Sequence, residues 1–137
     1  MSQILDTGGI RPGPSRRAAV RIAVTAARLI ARLSPCRIRA VLGAISRGAE
    51  PAAYAQALRA RQDVTAVSTL CSGTFCLQRS LATALLCRMN GSWPTWCSGA
   101  RTPPFSAHAW VEAEGQRVGE PADTATYRTL ISVPPRR

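Results

Sequence analysis

Residues 71–91 read CSGTFCLQRSLATALLCRMNG, and residues 106–120 read SAHAWVEAEGQRVGE. In the first stretch a loop bearing Gly73 leads into Cys76. From Cys76 to Arg88 the apolar residues Leu77, Leu81, Leu85 and Leu86 recur at helical spacing, and Asn90-Gly91 supplies the stop. The second stretch alternates, with His108, Trp110 and Glu112 on one face of a strand and Ala107, Ala109 and Val111 on the other. Glu114-Gly115 marks a turn, and Gln116 to Glu120 reads as the return strand, ended by Pro121. A strand-like stretch, Trp93 to Ala100, and a loop at 101–104 join the two. Beyond Pro121 the chain holds Tyr127, Leu130 and Val133.

Upstream the pattern is helical. Met1 to Ser15 holds three Gly and two Pro and reads as a flexible tail. A helix is expected from Ser15 or Arg16 to about Leu33, with Arg17, Arg21, Arg28 and Arg32 on one face and Ile22, Leu29, Ile30 and Leu33 largely on the other. Ser34-Pro35 opens a second helix, about 35–47, that ends at Gly48. Pro51 opens a third, about 51–67, with Tyr54, Ala57, Leu58 and Val64 as its core positions. The fold class is therefore α+β: a tail at 1–15, a helical N-terminal region at 16–70, and a core at 71–137 in which a Cys-bearing helix packs on a small antiparallel sheet.

Composition narrows the function. A chain of 137 residues with 46% apolar content buries roughly two-thirds of its unfolded surface and holds a single domain's core. All 18 basic residues are Arg, against 7 acids. Residues 1–70 carry 11 Arg against 3 acids, a net of +8, and the remainder carries 7 Arg against 4 acids, a net of +3. The basic half and the half with chemical motifs are different halves. Nucleic-acid binding is disfavoured, because the Arg faces contain no stacking aromatics. No run of 18 apolar residues predicts a spanning helix, and arginines interrupt every stretch that could serve in a signal peptide. A cytosolic protein with five reduced cysteines is the expectation.

Three residues carry the chemistry. Cys76 sits at a predicted helix start, where the helix dipole favours thiolate and backbone N–H groups can stabilise an oxyanion. His108, the single histidine, sits on a strand and could lower the thiol pKa and protonate a leaving amine. Glu120, on the next strand, could orient the imidazole. The hairpin decides whether it reaches. A three-residue loop, Ala113-Glu114-Gly115, pairs His108 with Glu120 on one face; a two-residue turn at Glu114-Gly115 sends Glu120 to the other.

The remaining cysteines are weaker candidates. Cys36 lies in the helical half, Cys71 on the loop before Cys76, Cys87 three helical turns after it, and Cys97 beside Trp96. Apart from Cys71-x₄-Cys76, their spacings lack the paired C-x₂₋₄-C knuckles of structural zinc sites, and the signature of zinc deaminases is absent. No metal or cofactor is expected.

The runs Cys76-Leu77-Gln78-Arg79-Ser80-Leu81-Ala82, Ala107-His108-Ala109-Trp110-Val111-Glu112 and Val118-Gly119-Glu120 resemble the lasso-peptide B proteins, in the split form where the leader peptidase is its own short chain. Trp93-Pro94-Thr95-Trp96-Cys97 and Arg101-Thr102-Pro103-Pro104-Phe105 extend the likeness, which covers about residues 16–135. The resemblance implies a papain- and transglutaminase-like cysteine peptidase that removes the leader from a ribosomally made precursor peptide. It implies as partners a separate leader-binding protein and an ATP-dependent lasso cyclase. By motif, Cys76 would be the nucleophile and His108 the base and acid. Glu120 falls where the family usually has Asp, and Asp123 is a nearby substitute beyond Pro121. Arg79, one turn after Cys76, could support thiolate, bind substrate or tie helix to sheet. Two rivals stand beside peptide hydrolysis: an acyl transferase on the same site, and a non-catalytic docking subunit whose Arg-rich helices bind an acidic partner.

Overall fold

The computed structural model describes residues 13–67, 76–102, 105–120 and 126–136. The expected tail, Cys71 and Asp123 lie outside the described residues, apart from the tail's last three positions. Helix α1 spans Pro14–Ile30, with Gly13 as N-cap and Pro14 in the first turn, where its missing N–H costs nothing. It stops short of Leu33: Arg32 and Leu33 bond back to Leu29 and Ile30 over a tighter turn. Helix α2 spans Pro35–Ile45, and the Ser34 hydroxyl accepts from the Arg37 N–H. Gly48, at φ +78°, follows it and donates to the Arg136 carbonyl.

The third helix does not open at Pro51. Glu50–Pro51 forms strand β1, parallel to β2 at Ser92–Trp93. Glu50 donates to Gly91 and Ala52 to Trp93, so the residue between them needs no N–H, and proline fits this edge. Helix α3 begins later, spanning Tyr54–Val67. Two acceptors take its first N–H groups: the Gln56 side chain bonds Ala53, and the Glu114 carboxylate, reaching across from the far hairpin, bonds Tyr54 at 2.7 Å.

Helix α4, Cys76–Met89, is the centre of the molecule, buried without a break from Ser80 to Cys87. A helix apolar on one face would need one packing partner, whereas this one is enclosed. The α1 face against it is Val20, Ala23, Val24 and Ala27, and α3 contributes Ala57, Ala60 and Val64. Small residues let the helix axes approach closely. Of the residues expected opposite the arginines, Ile30 and Leu33 pack partly buried against the core, whereas Ile22 and Leu29 are each 60% exposed. Arg16 on α1 closes the layer with an ion pair to Asp63 on α3 at 2.7 Å.

The other side of α4 meets a four-stranded antiparallel sheet of order β5-β4-β3-β6, with β3 Thr95–Arg101, β4 Ser106–Ala113, β5 Gln116–Arg117 and β6 Arg128–Val133. The expected strand from Trp93 is split, because Pro94 separates β2 from β3. Ala109, Val111 and Ala113 face the core, as the alternation predicts. Trp93, Trp96 and Trp110 are fully buried, and each indole N–H has an acceptor: Val133 carbonyl, Ser80 hydroxyl and Glu112 carboxylate. Among the described residues no helix is long and apolar enough to cross a membrane.

Gly99 sits where β3 shifts register against β6. A Cβ there would lie 2.1 Å from the Arg128 carbonyl oxygen and 2.9 Å from the Trp110 ring. Gly99→Ala is therefore expected to cost about 2 kcal/mol and lower Tm by roughly 10 °C. Thermal unfolding followed by circular dichroism checks this, and an unchanged Tm would contradict the close approach.

Candidate active site

Cys76 is the first residue of α4, partly buried, with the N–H groups of the first helical turn, which have no partner within the helix, about it. Burial pushes its thiol up. The hydrogen bonds to His108 and to the Ala109 backbone, with the positive charges of His108 and Arg79, outweigh burial and hold it below the usual thiol range. The imidazole moves the other way. Hydrogen bonds to Cys76 and to Glu120 raise His108 from 6.5 to about 9, against the effect of burial. Together the two shifts favour a thiolate–imidazolium pair at neutral pH.

Glu120 completes the arrangement: its Oε1 lies 2.5 Å from His108 Nε2, and its side chain is 3% exposed. The structure thus brings the three sequence-predicted residues together, but not by the expected hairpin. Glu112 pairs with Arg117 and Ala113 with Gln116, which makes Glu114-Gly115 a two-residue turn. Both residues have positive φ, +54° and +77°, as a tight hairpin twisted with its strands requires. In that register alternation alone would send Glu120 to the face opposite His108. The return strand ends early instead. Val118 still donates to Val111, and then Gly119, at φ +64°, turns the chain so that Glu120 swings back onto the histidine. The expected contact is present, and a left-handed glycine rather than strand pairing produces it.

Helix α3 secures this turn, which the sequence did not suggest. The Gly119 N–H donates to the Tyr54 hydroxyl at 3.3 Å. The Arg61 side chain packs over Gly119 so closely that a Cβ would lie 3.0 Å from its Cδ. Its guanidinium lies 3.5 Å from Glu120 Oε2. Tyr54 and Arg61 are seven residues apart, two turns on one helix face, so the spacing was visible but the distant target was not.

Aromatic rings fix the imidazole plane. Trp110 stacks beside it at 5.7 Å and 19°, and Tyr127 lies at 5.2 Å and 39°. Arg117 covers the Trp110 ring at 4.1 Å, and Arg101 covers Tyr127 at 4.6 Å. The Tyr127 hydroxyl is bonded to Ser106 at 2.8 Å. Trp110 follows His108 by two on the same strand face, so alternation pointed to it; Tyr127 had no such signal.

The other described cysteines are differently placed. Burial pushes Cys87 up to about 11. Burial and the Glu112 carboxylate push Cys97 up to about 12. Both stay as thiols at neutral pH, and Cys36 is exposed on α2. Among the described residues no group of three or more His, Cys, Asp or Glu is placed to hold a metal ion.

A depressed thiol at a helix start, a raised imidazole and a buried carboxylate in series are the parts of nucleophilic acyl transfer. The thiolate attacks a carbonyl, the imidazolium protonates the leaving group, and the carboxylate holds the ring. Comparison with protein families agrees with this chemistry. The family model described as the transglutaminase-like superfamily matches residues 20–132, from α1 to the end of the sheet. Neither the curated proteins nor the solved structures give a match. By that match over most of its length, the chain belongs to the transglutaminase-like superfamily.

Proposed function

We propose that this protein is a cysteine peptidase that hydrolyses the leader–core bond of a ribosomally made precursor peptide in lasso-peptide biosynthesis. The observation that carries the peptidase reading is the Cys76–His108–Glu120 series with its depressed thiol. The choice of substrate rests on the resemblance of the Cys-Leu-Gln-Arg-Ser-Leu and His-Ala-Trp-Val-Glu runs to the split B proteins.

In this mechanism the Cys76 sulfur attacks the scissile carbonyl, and the negative charge that develops on oxygen faces N–H groups at the start of α4. His108 gives its proton to the leaving amine, which departs as the new N-terminus of the core peptide. The thioester then accepts water, deprotonated by His108, and releases the leader carboxylate. Glu120 keeps the ring in place through both steps. An acyl transferase would share the first half and pass the acyl group to an amine instead of water.

The helical layer suits a partner. Its outer face on α1 has an open groove of about 410 Å³, lined by Arg21, Ile22, Thr25, Ala26 and Leu29. Apolar residues rimmed by arginine fit an acidic, amphipathic surface. We assign this face to the separate leader-binding protein, which delivers the precursor, while the ATP-dependent cyclase acts on the freed core.

Mass spectrometry of the cognate precursor, incubated with this chain and the leader-binding protein, tests the assignment. Wild type should release a leader with a free carboxylate, and Cys76→Ala should release none. A new amide in place of the carboxylate would establish the transferase instead, and equal release by both proteins would discard Cys76. Glu120→Gln should lower kcat/KM roughly 10²-fold. In wild type, activity should fall as pH rises past about 9, where His108 loses its proton. Without the carboxylate that raises His108, the alkaline limb of Glu120→Gln should move to lower pH. Reversing charge at Arg21 and Arg28 to Glu should weaken binding of the leader-binding protein at least tenfold by calorimetry, and unchanged affinity would remove the groove from the assembly.

A further inference from the structure

We infer that Arg61, on the helical layer, is a positioning residue of the site, holding the second oxygen of Glu120 and favouring the Cys76 thiolate through its charge. The inference rests on Cys76 being the nucleophile. Its basis is the division of the Glu120 carboxylate. One oxygen meets His108 and the other lies 3.5 Å from Arg61 Nη2, while the carboxylate side chain is 3% exposed and that of Arg61 20%. A carboxylate so enclosed loses its water, and its second oxygen then depends on the groups packed around it. The Arg61 guanidinium faces that second oxygen as an ion-pair partner and favours this rotation of the carboxylate. By packing its stem over Gly119 it also holds the turn that delivers the acid.

The charges run in alternation. Thiolate, imidazolium, carboxylate and guanidinium follow one another from Cys76 to Arg61, and the set sums to zero. Remove Arg61 and the ionised triad carries a net negative charge in a mostly buried place, with Arg79 as the remaining cation that acts on Cys76. The sign of the consequence follows. Less positive potential makes proton binding easier at both groups, so the Cys76 thiol and the His108 imidazolium each titrate at higher pH. The other charged groups around the site act elsewhere than on Glu120. Arg79 acts on Cys76 from α4. Arg101 lies over Tyr127, and Arg117 lies over Trp110 and near Glu112, each held on the ring side of His108. Tyr54 is engaged by Gly119.

Alkylation reads this without a substrate. The full-length protein is treated with iodoacetamide across pH, and each cysteine is followed by peptide mass spectrometry, with exposed Cys36 as internal reference. In wild type the Cys76 midpoint should lie below that of Cys36. Arg61→Met keeps an unbranched stem over Gly119 and deletes the charge, and it should raise the Cys76 midpoint by about half a pH unit or more. Arg61→Lys should restore most of the shift, which a merely structural loss would not allow. Protection of buried Cys87 reports folding, and Arg61→Gln replaces the Met variant if that protection is lost. A folded neutral variant with the wild-type midpoint overturns the inference alone. A wild-type Cys76 no more reactive than Cys36 overturns the nucleophile assignment and the inference with it.

Discussion

The enclosure of α4 is the constraint on which the rest of the structure depends. Eight consecutive buried residues, Ser80 to Cys87, leave this helix no solvent face along its middle, so layers must pack on it from several sides. One side takes the alanine-rich stripes of α1 and α3, and another takes the sheet through Ala109, Val111 and Ala113. With the helix immobilised along its length, its first residue is immobilised too. Cys76 therefore needs no elaborate local support: the core fixes its position, and the helix start supplies its electrostatic setting.

The site then divides between two layers. The sheet carries His108 and the rings that fix it, and the helical layer reaches over with Tyr54 and Arg61 to hold the turn that bears Glu120. Glu114, in the same hairpin, returns the contact by accepting from the first N–H of α3. The helical region is thus joined to the chemistry at both ends of one hairpin arm. Guanidinium suits this role, since it stays charged at any pH at which the thiol and imidazole titrate.

Much of this was legible in the sequence, and the failures have physical causes. The alternation in Ser106–Ala113 and the leucine spacing after Cys76 gave β4 and α4 at their observed positions, because local period and burial agree there. Ile22 and Leu29 stand exposed despite their hydrophobicity, because α1 turns Val20, Ala23, Val24 and Ala27 toward α4. Pro51 was read as a helix start, and only the partner strand β2, forty-two residues away, turns it into an edge-strand residue. The three-residue hairpin loop was plausible on Gly115 alone, but Glu114 also adopts positive φ, which a glutamate seldom does. Arg61 shares a helix face with Tyr54 by its spacing, but its target, fifty-nine residues further along the chain, left no mark in the sequence.

The route by which Glu120 reaches His108 bears on how such a site could change over generations. An acid placed by strand pairing would be locked to the sheet, because any slip of one residue inverts every side chain in the ladder. Here paired strand ends at Arg117 and a single left-handed glycine makes the delivery. A change of arm length after that point would disturb the turn held by Tyr54 and Arg61 while leaving the register of β3 and β4 untouched. The thiol and imidazole belong to the helix and sheet themselves, whereas the third member of the series is placed by a turn outside the paired ladder, and its position answers to the helical layer rather than to strand register.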